Sequence, residues 1–136
     1  MMMIELFFPL PFMSLQDLTN TNSKALIAGW GKMGRRTQAN ILQFAQVKLH
    51  PVEKCKDIYS KLPNIKVTDN NICAGGVHDV CMGDSGGPLT CFSKPGERHI
   101  CGIVSWGKEG CIRGGAPGLY TDVSAYQEWI VKSVQG

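Results

Sequence analysis

The stretch Asp79-Val80-Cys81-Met82-Gly83-Asp84-Ser85-Gly86-Gly87-Pro88-Leu89 decides how the rest of the sequence is interpreted. Its glycines disfavour both a helix interior and a strand, so it is predicted to be a loop whose backbone bends sharply and closely approaches another group. Ser85, flanked by glycines in such a loop, is a candidate nucleophile. Residues 83–86 alone are equally compatible with an ordinary turn, so the stretch by itself leaves both interpretations open.

Length and composition indicate a small β-rich domain. The chain has 136 residues, which fits one domain with a working core. Its 16 glycines and 18 % of charged residues are typical of a turn-rich β protein. The net charge of +3 is mild, and the Lys and Arg residues are scattered along the sequence. We therefore expect neither nucleic acid nor a membrane as a partner.

The cysteines permit two interpretations. One is a disulfide framework in an oxidising compartment. The other is a metal site that uses Cys73, His78 and Cys81. The spacings lack a paired Cys-x-x-Cys, and the flanking glycines suit a turn better than a ligand shell, so we expect no metal and no cofactor. The six cysteines are at positions 55, 73, 81, 91, 101 and 111.

The first 23 residues show no clear periodicity and are expected to be an irregular or non-native amino-terminal segment, followed by one domain over residues 24–136. Residues 1–13 are apolar but contain Glu5, Pro9 and Pro11, lack a basic start, and precede no cleavage site, so they make no convincing signal peptide. No run is long enough to cross a membrane. A truncated or wrongly started amino terminus would reconcile this segment with the cysteines, which imply secretion.

The remaining sequence predicts an all-β domain, an antiparallel barrel with a helix at its carboxyl end. A short helix or irregular segment is expected over residues 52–62. Near the end, Ser124 is a candidate helix cap with Gln127 at the capping-box position. The apolar residues that follow recur at helical spacing and are expected to pack on the core; they are Tyr126, Trp129, Ile130 and Val134. Strands are predicted over residues 25–31, 41–49, 72–76, 88–92, 100–106 and 118–123.

Several stretches together resemble the trypsin/chymotrypsin-like serine endopeptidases, in the order of that family and at nearly its spacing. The resemblance runs from about Ala25 to the end and covers the second half of the family's catalytic domain, which implies the second of two antiparallel Greek-key barrels and the final helix. The matching stretches are Ile27-Ala28-Gly29-Trp30-Gly31, Asn71-Ile72-Cys73-Ala74-Gly75, residues 79–89, Gly102-Ile103-Val104-Ser105-Trp106-Gly107 and Pro117-Gly118-Leu119-Tyr120-Thr121.

The resemblance implies a role for most residues of the opening stretch. Ser85 matches the nucleophile, whose hydroxyl needs a base to take its proton. The backbone N–H groups of Gly83 and Ser85 match the oxyanion hole. Asp84 matches the aspartate that pairs with the new N-terminal ammonium of an activated protease. Asp79 matches the base of the primary specificity pocket, where a carboxylate pairs with Arg or Lys of the substrate.

Other matched residues imply the substrate and the partners. Gly107 and Gly118 match the pocket walls, and the stretch Ser105-Trp106-Gly107 matches the edge that binds an extended substrate backbone. The resemblance thus implies an extracellular endopeptidase that cleaves after Arg or Lys, with protein or peptide substrates and protein protease inhibitors as partners.

The resemblance also implies disulfides. Two pairs follow from the family, Cys55–Cys73 and Cys81–Cys111. Cys91 matches a family cysteine whose usual partner position holds Ala25 in this chain. An extra cysteine, Cys101, is on the other arm of the same predicted hairpin, so we predict a Cys91–Cys101 bridge with Cα atoms within about 4.4–6.8 Å.

The general base is the missing part of this pattern. None of His50, His78 and His99 lies in the context of the family's base, and Asp17 does not match its orienting aspartate. The activation site has no match either.

The leading hypothesis is an incomplete chain of a secreted trypsin-like endopeptidase. The alternatives are a catalytically inactive homologue that acts as a binding or regulatory module, and a small disulfide-stapled structural protein; labelling of Ser85 by a serine-directed phosphonate would require a base and so discriminates between them.

Overall fold

A computed structural model describes residues 24–33, 37–76, 80–94, 97–107 and 116–136 of the chain. Short strands dominate, and both α-helices of the described residues are on the carboxyl side of a strand. The strands are β1 (Lys24–Gly29), β2 (Lys32–Met33), β3 (Thr37–Gln38), β4 (Gln43–His50), β5 (Asn71–Ala74), β6 (Pro88–Lys94), β7 (Glu97–Trp106) and β8 (Gly118–Asp122). The helices are α1 (Val52–Tyr59), a 3₁₀ turn (Val123–Tyr126) and α2 (Gln127–Gln135).

Six of the strands close into an antiparallel barrel in the order β1-β4-β5-β8-β7-β6, while β2 and β3 form a separate two-stranded ribbon. Strand β1 pairs with β4, and β4 pairs with β5. The next strand of the barrel, β6, returns to pair with the free edge of β1. This is the Greek-key connection. The predicted fold class, an all-β antiparallel barrel with a C-terminal helix, is confirmed.

The core lies inside this barrel because alternate residues of each strand point inward. Ala25 and Ile27 of β1 are buried, as are Val47 and Leu49 of β4. The intervening positions face outward, so β1 and β4 present Lys24 and Lys48 to solvent among others. The other core residues are Ile72, Ala74, Val80, Leu89, Cys91, Cys101, Val104 and Tyr120.

A disulfide holds α1 on the barrel. Cys55 of α1 is bonded to Cys73 of β5, with Cα atoms 5.9 Å apart. These two cysteines, Tyr59 and Leu119 form a second buried cluster, against which Trp106 packs. The ring centroids of Tyr59 and Trp106 are 5.0 Å apart at 87°, an edge-to-face contact.

The β6–β7 hairpin has its own disulfide, Cys91–Cys101, with Cα atoms 5.7 Å apart. Ala25 is completely buried opposite Val47. The bridge therefore joins the arms of the hairpin, as expected for a chain that has alanine at that position. Cys81 is also disulfide-bonded; Cys111, its expected partner, lies outside the described residues.

The carboxyl-terminal segment differs from the prediction in two ways. Asp122, not Ser124, caps the 3₁₀ turn: its Oδ1 accepts hydrogen bonds from Ser124 N at 2.9 Å and Ser124 Oγ at 2.7 Å. The helix α2 that follows has Tyr126 at its N-cap position and no side-chain cap. The expected core packing of the helical stripe is also wrong, because α2 has no buried residue. Trp129 is 67 % exposed and Val134 is 76 % exposed. Periodicity predicted that one face would be apolar, but it carried no information about whether the described residues would cover that face.

Among the described residues, no helix has both the length and the apolar character needed to span a bilayer.

Substitution of Gly102 by alanine tests the packing inside the barrel. An added Cβ would lie 3.1 Å from Tyr120 Cβ and 3.2 Å from atoms of both Ile72 and Leu89. Because those side chains are fully enclosed, we expect Gly102→Ala to lower the free energy of unfolding by about 1–3 kcal/mol, measured by urea denaturation. The matched control is Gly136→Ala, where the nearest atoms are at 3.4 Å. Equal stability of the two variants would contradict the packing described.

Candidate active site

The loop that carries Ser85 is fixed to β7 by a reciprocal pair of backbone hydrogen bonds. Gly86 N donates to Val104 O at 3.0 Å, and Val104 N donates to Gly87 O at 2.9 Å. Gly86 has φ +80°, in the region that glycine adopts most readily. Ser85 itself is exposed. A rigid strand thus holds the loop while the serine hydroxyl remains open to solvent.

Asp84 ties the same loop to the segment after β1. Its Oδ1 accepts a hydrogen bond from Gly31 N at 2.8 Å, and its Oδ2 accepts one from Cys81 N at 2.9 Å. A further bond, from Lys32 N to Met82 O at 2.9 Å, runs between the same two segments. The Asp84 carboxylate therefore joins two segments far apart in sequence, at the position next to the candidate nucleophile.

The two residues on either side of Trp30 are glycines, and the Asp84 carboxylate occupies the space that side chains at these positions would fill. A Cβ on Gly29 would lie 1.9 Å from Asp84 Oδ1, and a Cβ on Gly31 would lie 2.4 Å from both Cγ and Oδ2. Sequence reasoning gave neither glycine a role in the site. The signal that was available is the Gly29-Trp30-Gly31 pattern itself, which the resemblance used only as a family marker.

The two candidate oxyanion donors, Gly83 N and Ser85 N, lie on either side of Asp84 N, which is already hydrogen-bonded within the loop. Asp84 N donates to Cys81 O at 2.9 Å, which closes a tight turn. Within the described residues, neither Gly83 N nor Ser85 N donates to a backbone acceptor. Gly83 has φ +99°, a conformation that costs little only for glycine. The loop thus has two N–H groups free to donate beside an exposed serine hydroxyl.

The residues matched to the substrate edge lie at the end of β7. Ser105 is exposed and follows Val104, the anchor of the serine loop, while Trp106 is half-buried. An added Cβ on Gly107 would contact only Val80 O, at 3.9 Å. Gly118, matched to the other pocket wall, is buried at the start of β8. Asp79, the expected base of the pocket, lies outside the described residues.

The hydrogen bonds of His50 engage both of its ring nitrogens. Lys54 Nζ lies 3.3 Å from Nδ1, and Nε2 lies 2.9 Å from Gly75 O. Because an ammonium can only donate, Nδ1 accepts and Nε2 carries the hydrogen given to Gly75. Burial is the main cause that lowers the pKa of His50. This ring binds the end of β4 to the chain beyond β5, a structural arrangement.

His99 is too far along its strand to act on Ser85. It lies five residues before Val104 on β7, a separation of about 16 Å at the usual rise of a strand, and it faces Cys91 on β6. His78 lies outside the described residues. Neither described histidine is therefore placed to take the proton of Ser85.

Comparison with known proteins gives the family. The family model for trypsin matches residues 8–130. Human kallikrein-8 is 38 % identical over 126 residues, which are 89 % of this chain and 45 % of kallikrein-8. Rat transmembrane protease serine 9 is 41 % identical over 116 residues, 82 % of this chain and 10 % of that protein.

A solved structure agrees with this assignment. Neuropsin, a serine protease expressed in the limbic system of mouse brain, superimposes with a TM-score of 0.71 at 37 % identity, over 83 % of this chain and 48 % of neuropsin. The chain belongs to the trypsin family of serine proteases. It spans less than half the length of each of these three relatives.

A double-mutant cycle tests whether the Asp84 carboxylate is what excludes a side chain at position 31. Gly31→Ala is expected to displace the carboxylate and break its hydrogen bonds, so it should lower the free energy of unfolding by about 2–4 kcal/mol. In an Asp84→Ala background, where the colliding atoms are absent, the same change should cost under about 1 kcal/mol. Urea denaturation of the four proteins gives both values.

Gly107→Ala is the control, since the added Cβ meets nothing closer than 3.9 Å. Equal costs of Gly31→Ala in the two backgrounds would show that Asp84 does not occupy the space beside Gly31.

Proposed function

We propose that this chain supplies the serine side of the active site of a trypsin-like endopeptidase that cleaves after Arg or Lys. The observation that carries the proposal is the serine loop, in which Ser85 is exposed and the N–H groups of Gly83 and Ser85 donate to no backbone acceptor among the described residues. Membership of the trypsin family supports the reaction class. Residues 24–136 would then be the second barrel of a two-barrel catalytic domain.

In this reaction Ser85 Oγ attacks the carbonyl carbon of the peptide bond and loses its proton to a general base. The carbonyl oxygen becomes an oxyanion that accepts hydrogen bonds from Gly83 N and Ser85 N, each worth about 3–4 kcal/mol of barrier. Collapse of the intermediate breaks the C–N bond, and the base returns the proton to the leaving amine. Water then attacks the acyl carbon and gives a proton to the base; collapse of this second intermediate breaks the bond to Ser85 Oγ, which takes the proton back from the base as the acid is released.

The base and its orienting aspartate would come from a histidine-bearing first barrel. Support for this part is the engagement of both nitrogens of His50 and the separation of His99 from Val104 along β7. The serine loop would then be completed across the cleft between the barrels.

The proposed preference for Arg or Lys rests on Asp79 at the base of the pocket. A carboxylate there would form a charge-assisted pair with the substrate's cation. Gly107 and Gly118 would leave room for the long side chain, and the exposed edge at Ser105 would pair with the substrate backbone. Protein and peptide substrates, and protein inhibitors that imitate them, are the proposed partners.

Activation is proposed to act through Asp84. Each of its carboxylate oxygens accepts one backbone hydrogen bond and keeps a second lone pair. An N-terminal ammonium freed by proteolysis would bind there and fix the serine loop further. The disulfides support an extracellular location, since such bonds persist in oxidising compartments.

A chimera tests the proposal directly. The part of human kallikrein-8 that this chain does not match, joined to this chain, would supply the proposed base. Two serine-directed phosphonates are compared, one with a basic side group and one with a phenyl group. We expect the chimera to be labelled at Ser85, at least about tenfold faster by the basic reagent, a difference of about 1.4 kcal/mol.

Ser85→Ala in the chimera should abolish labelling, and Asp79→Ala should remove the preference for the basic reagent. A folded chimera that is not labelled would contradict the catalytic role and favour a binding or regulatory module. Labelling with a preference for the phenyl reagent would contradict only the proposed specificity.

A further inference from the structure

The outer surface of the barrel carries several cationic side chains at the end where β1 begins and β4 ends. Lys24 lies directly opposite Lys48 in the antiparallel β1–β4 ladder. Both are exposed, because the adjacent residues Ala25 and Val47 point into the core. Directly opposite side chains have Cβ atoms about 5 Å apart. Strand pairing thus places two ammonium groups side by side.

His50 and Lys54 extend this pair into a row. His50 is two residues beyond Lys48 on β4, which places it on the same face about 7 Å further along. Lys54 Nζ, from the first turns of α1, is 3.3 Å from His50 Nδ1. We name Lys24, Lys48, His50 and Lys54 the cationic row.

No described carboxylate neutralises the cationic row. The ion pairs of the described residues are Lys56–Asp69 and Lys132–Glu128, neither of which includes a member of the row. Glu53 is the acidic residue nearest to the row in sequence. The pKa of Lys56 is raised mainly by its hydrogen bond to Asp69, and the charge of Glu53 raises it further. Like charges directly opposite each other destabilise a sheet, so the Lys24–Lys48 pair has no evident structural purpose.

We propose that the cationic row is a binding site for a sulfated polysaccharide. Its lysine ammonium groups bind anionic oxygens as compact point charges. Its members lie about 5–7 Å apart along an extended path, which suits a linear chain of repeated anions. The disulfides place the protein in the oxidising surroundings where such polymers occur.

This site is separate from the serine loop. Lys24 begins β1, and Gly29, which faces Asp84, ends it. The two ends are about 16 Å apart along the strand. Occupancy of the cationic row therefore does not depend on the proposed proteolytic function, and binding is measurable without catalysis.

The experiment measures binding of a fluorescent heparin octasaccharide to the 136-residue chain by anisotropy at low salt. We expect Lys24→Gln/Lys48→Gln to weaken binding at least about tenfold, and Lys66→Gln/Lys132→Gln, which removes the same charge elsewhere, to weaken it less than about twofold. The thermal stability of the first double variant should be unchanged or higher, because its substitutions relieve a like-charge pair.

Equal weakening by the two double variants would overturn the proposal, since only net charge would then matter. Equal binding of desulfated heparin would overturn it as well. Binding of a polyglutamate peptide as tightly as the octasaccharide would overturn the assignment to a sulfated polymer and point to an acidic polypeptide.

A second measurement uses His50. Its pKa is lowered by burial first and then by Lys54 and Lys48, against the hydrogen bond to Gly75, which raises it. The ring therefore gains its charge at a lower pH than an ordinary histidine does. Of the elements around it, β5 contributes no charged residue and β1 contributes Lys24. Besides Lys54, α1 carries Glu53, Lys56 and Asp57.

Affinity for the octasaccharide should therefore rise as the pH is lowered from 7.4 to 5.5, and His50→Gln should reduce this rise. Gln keeps an N–H donor for Gly75 O, so the local structure has a substitute for the lost bond. An identical pH dependence in His50→Gln would exclude His50 from the site.

Discussion

The carboxylate of Asp84 is the interaction on which the candidate site depends. It accepts hydrogen bonds from Gly31 N and Cys81 N, and it fills the space in which Gly29 and Gly31 have no side chains. The chain before β2 and the loop before β6 are thereby held together. Because Asp84 and Ser85 are adjacent, the same contact fixes the backbone next to the candidate nucleophile.

Asp84 acts together with the anchoring of the serine loop on β7. Val104 binds the loop through two backbone hydrogen bonds, one to Gly86 and one to Gly87. With the loop held on both sides of Ser85, its backbone retains two amides that no described backbone group accepts from. Preorganised donors of this kind need no reorganisation when charge develops, which is why they lower a barrier effectively.

The sequence was sufficient to predict the barrel and the loop, because strand alternation and glycine-rich turns are local signals. It was insufficient wherever a property depends on distant partners. The glycines beside Trp30 could be explained only after Asp84 was seen between them. The apolar face of α2 was predicted from its period, but its exposure depends on what lies against it. The lysines look scattered in the sequence, yet the β1–β4 register brings Lys24 and Lys48 together.

The central claim is that the serine loop is held in place while the N–H groups of Gly83 and Ser85 donate to no described backbone acceptor. Amide hydrogen exchange at this loop is the most direct test of that claim. The account predicts that the amides of Gly83 and Ser85 exchange at least about tenfold faster than those of Asp84, Gly86 and Gly87, each of which donates to a backbone carbonyl. Protection of Gly83 and Ser85 equal to that of the other three amides, or rapid exchange at all five, would contradict it.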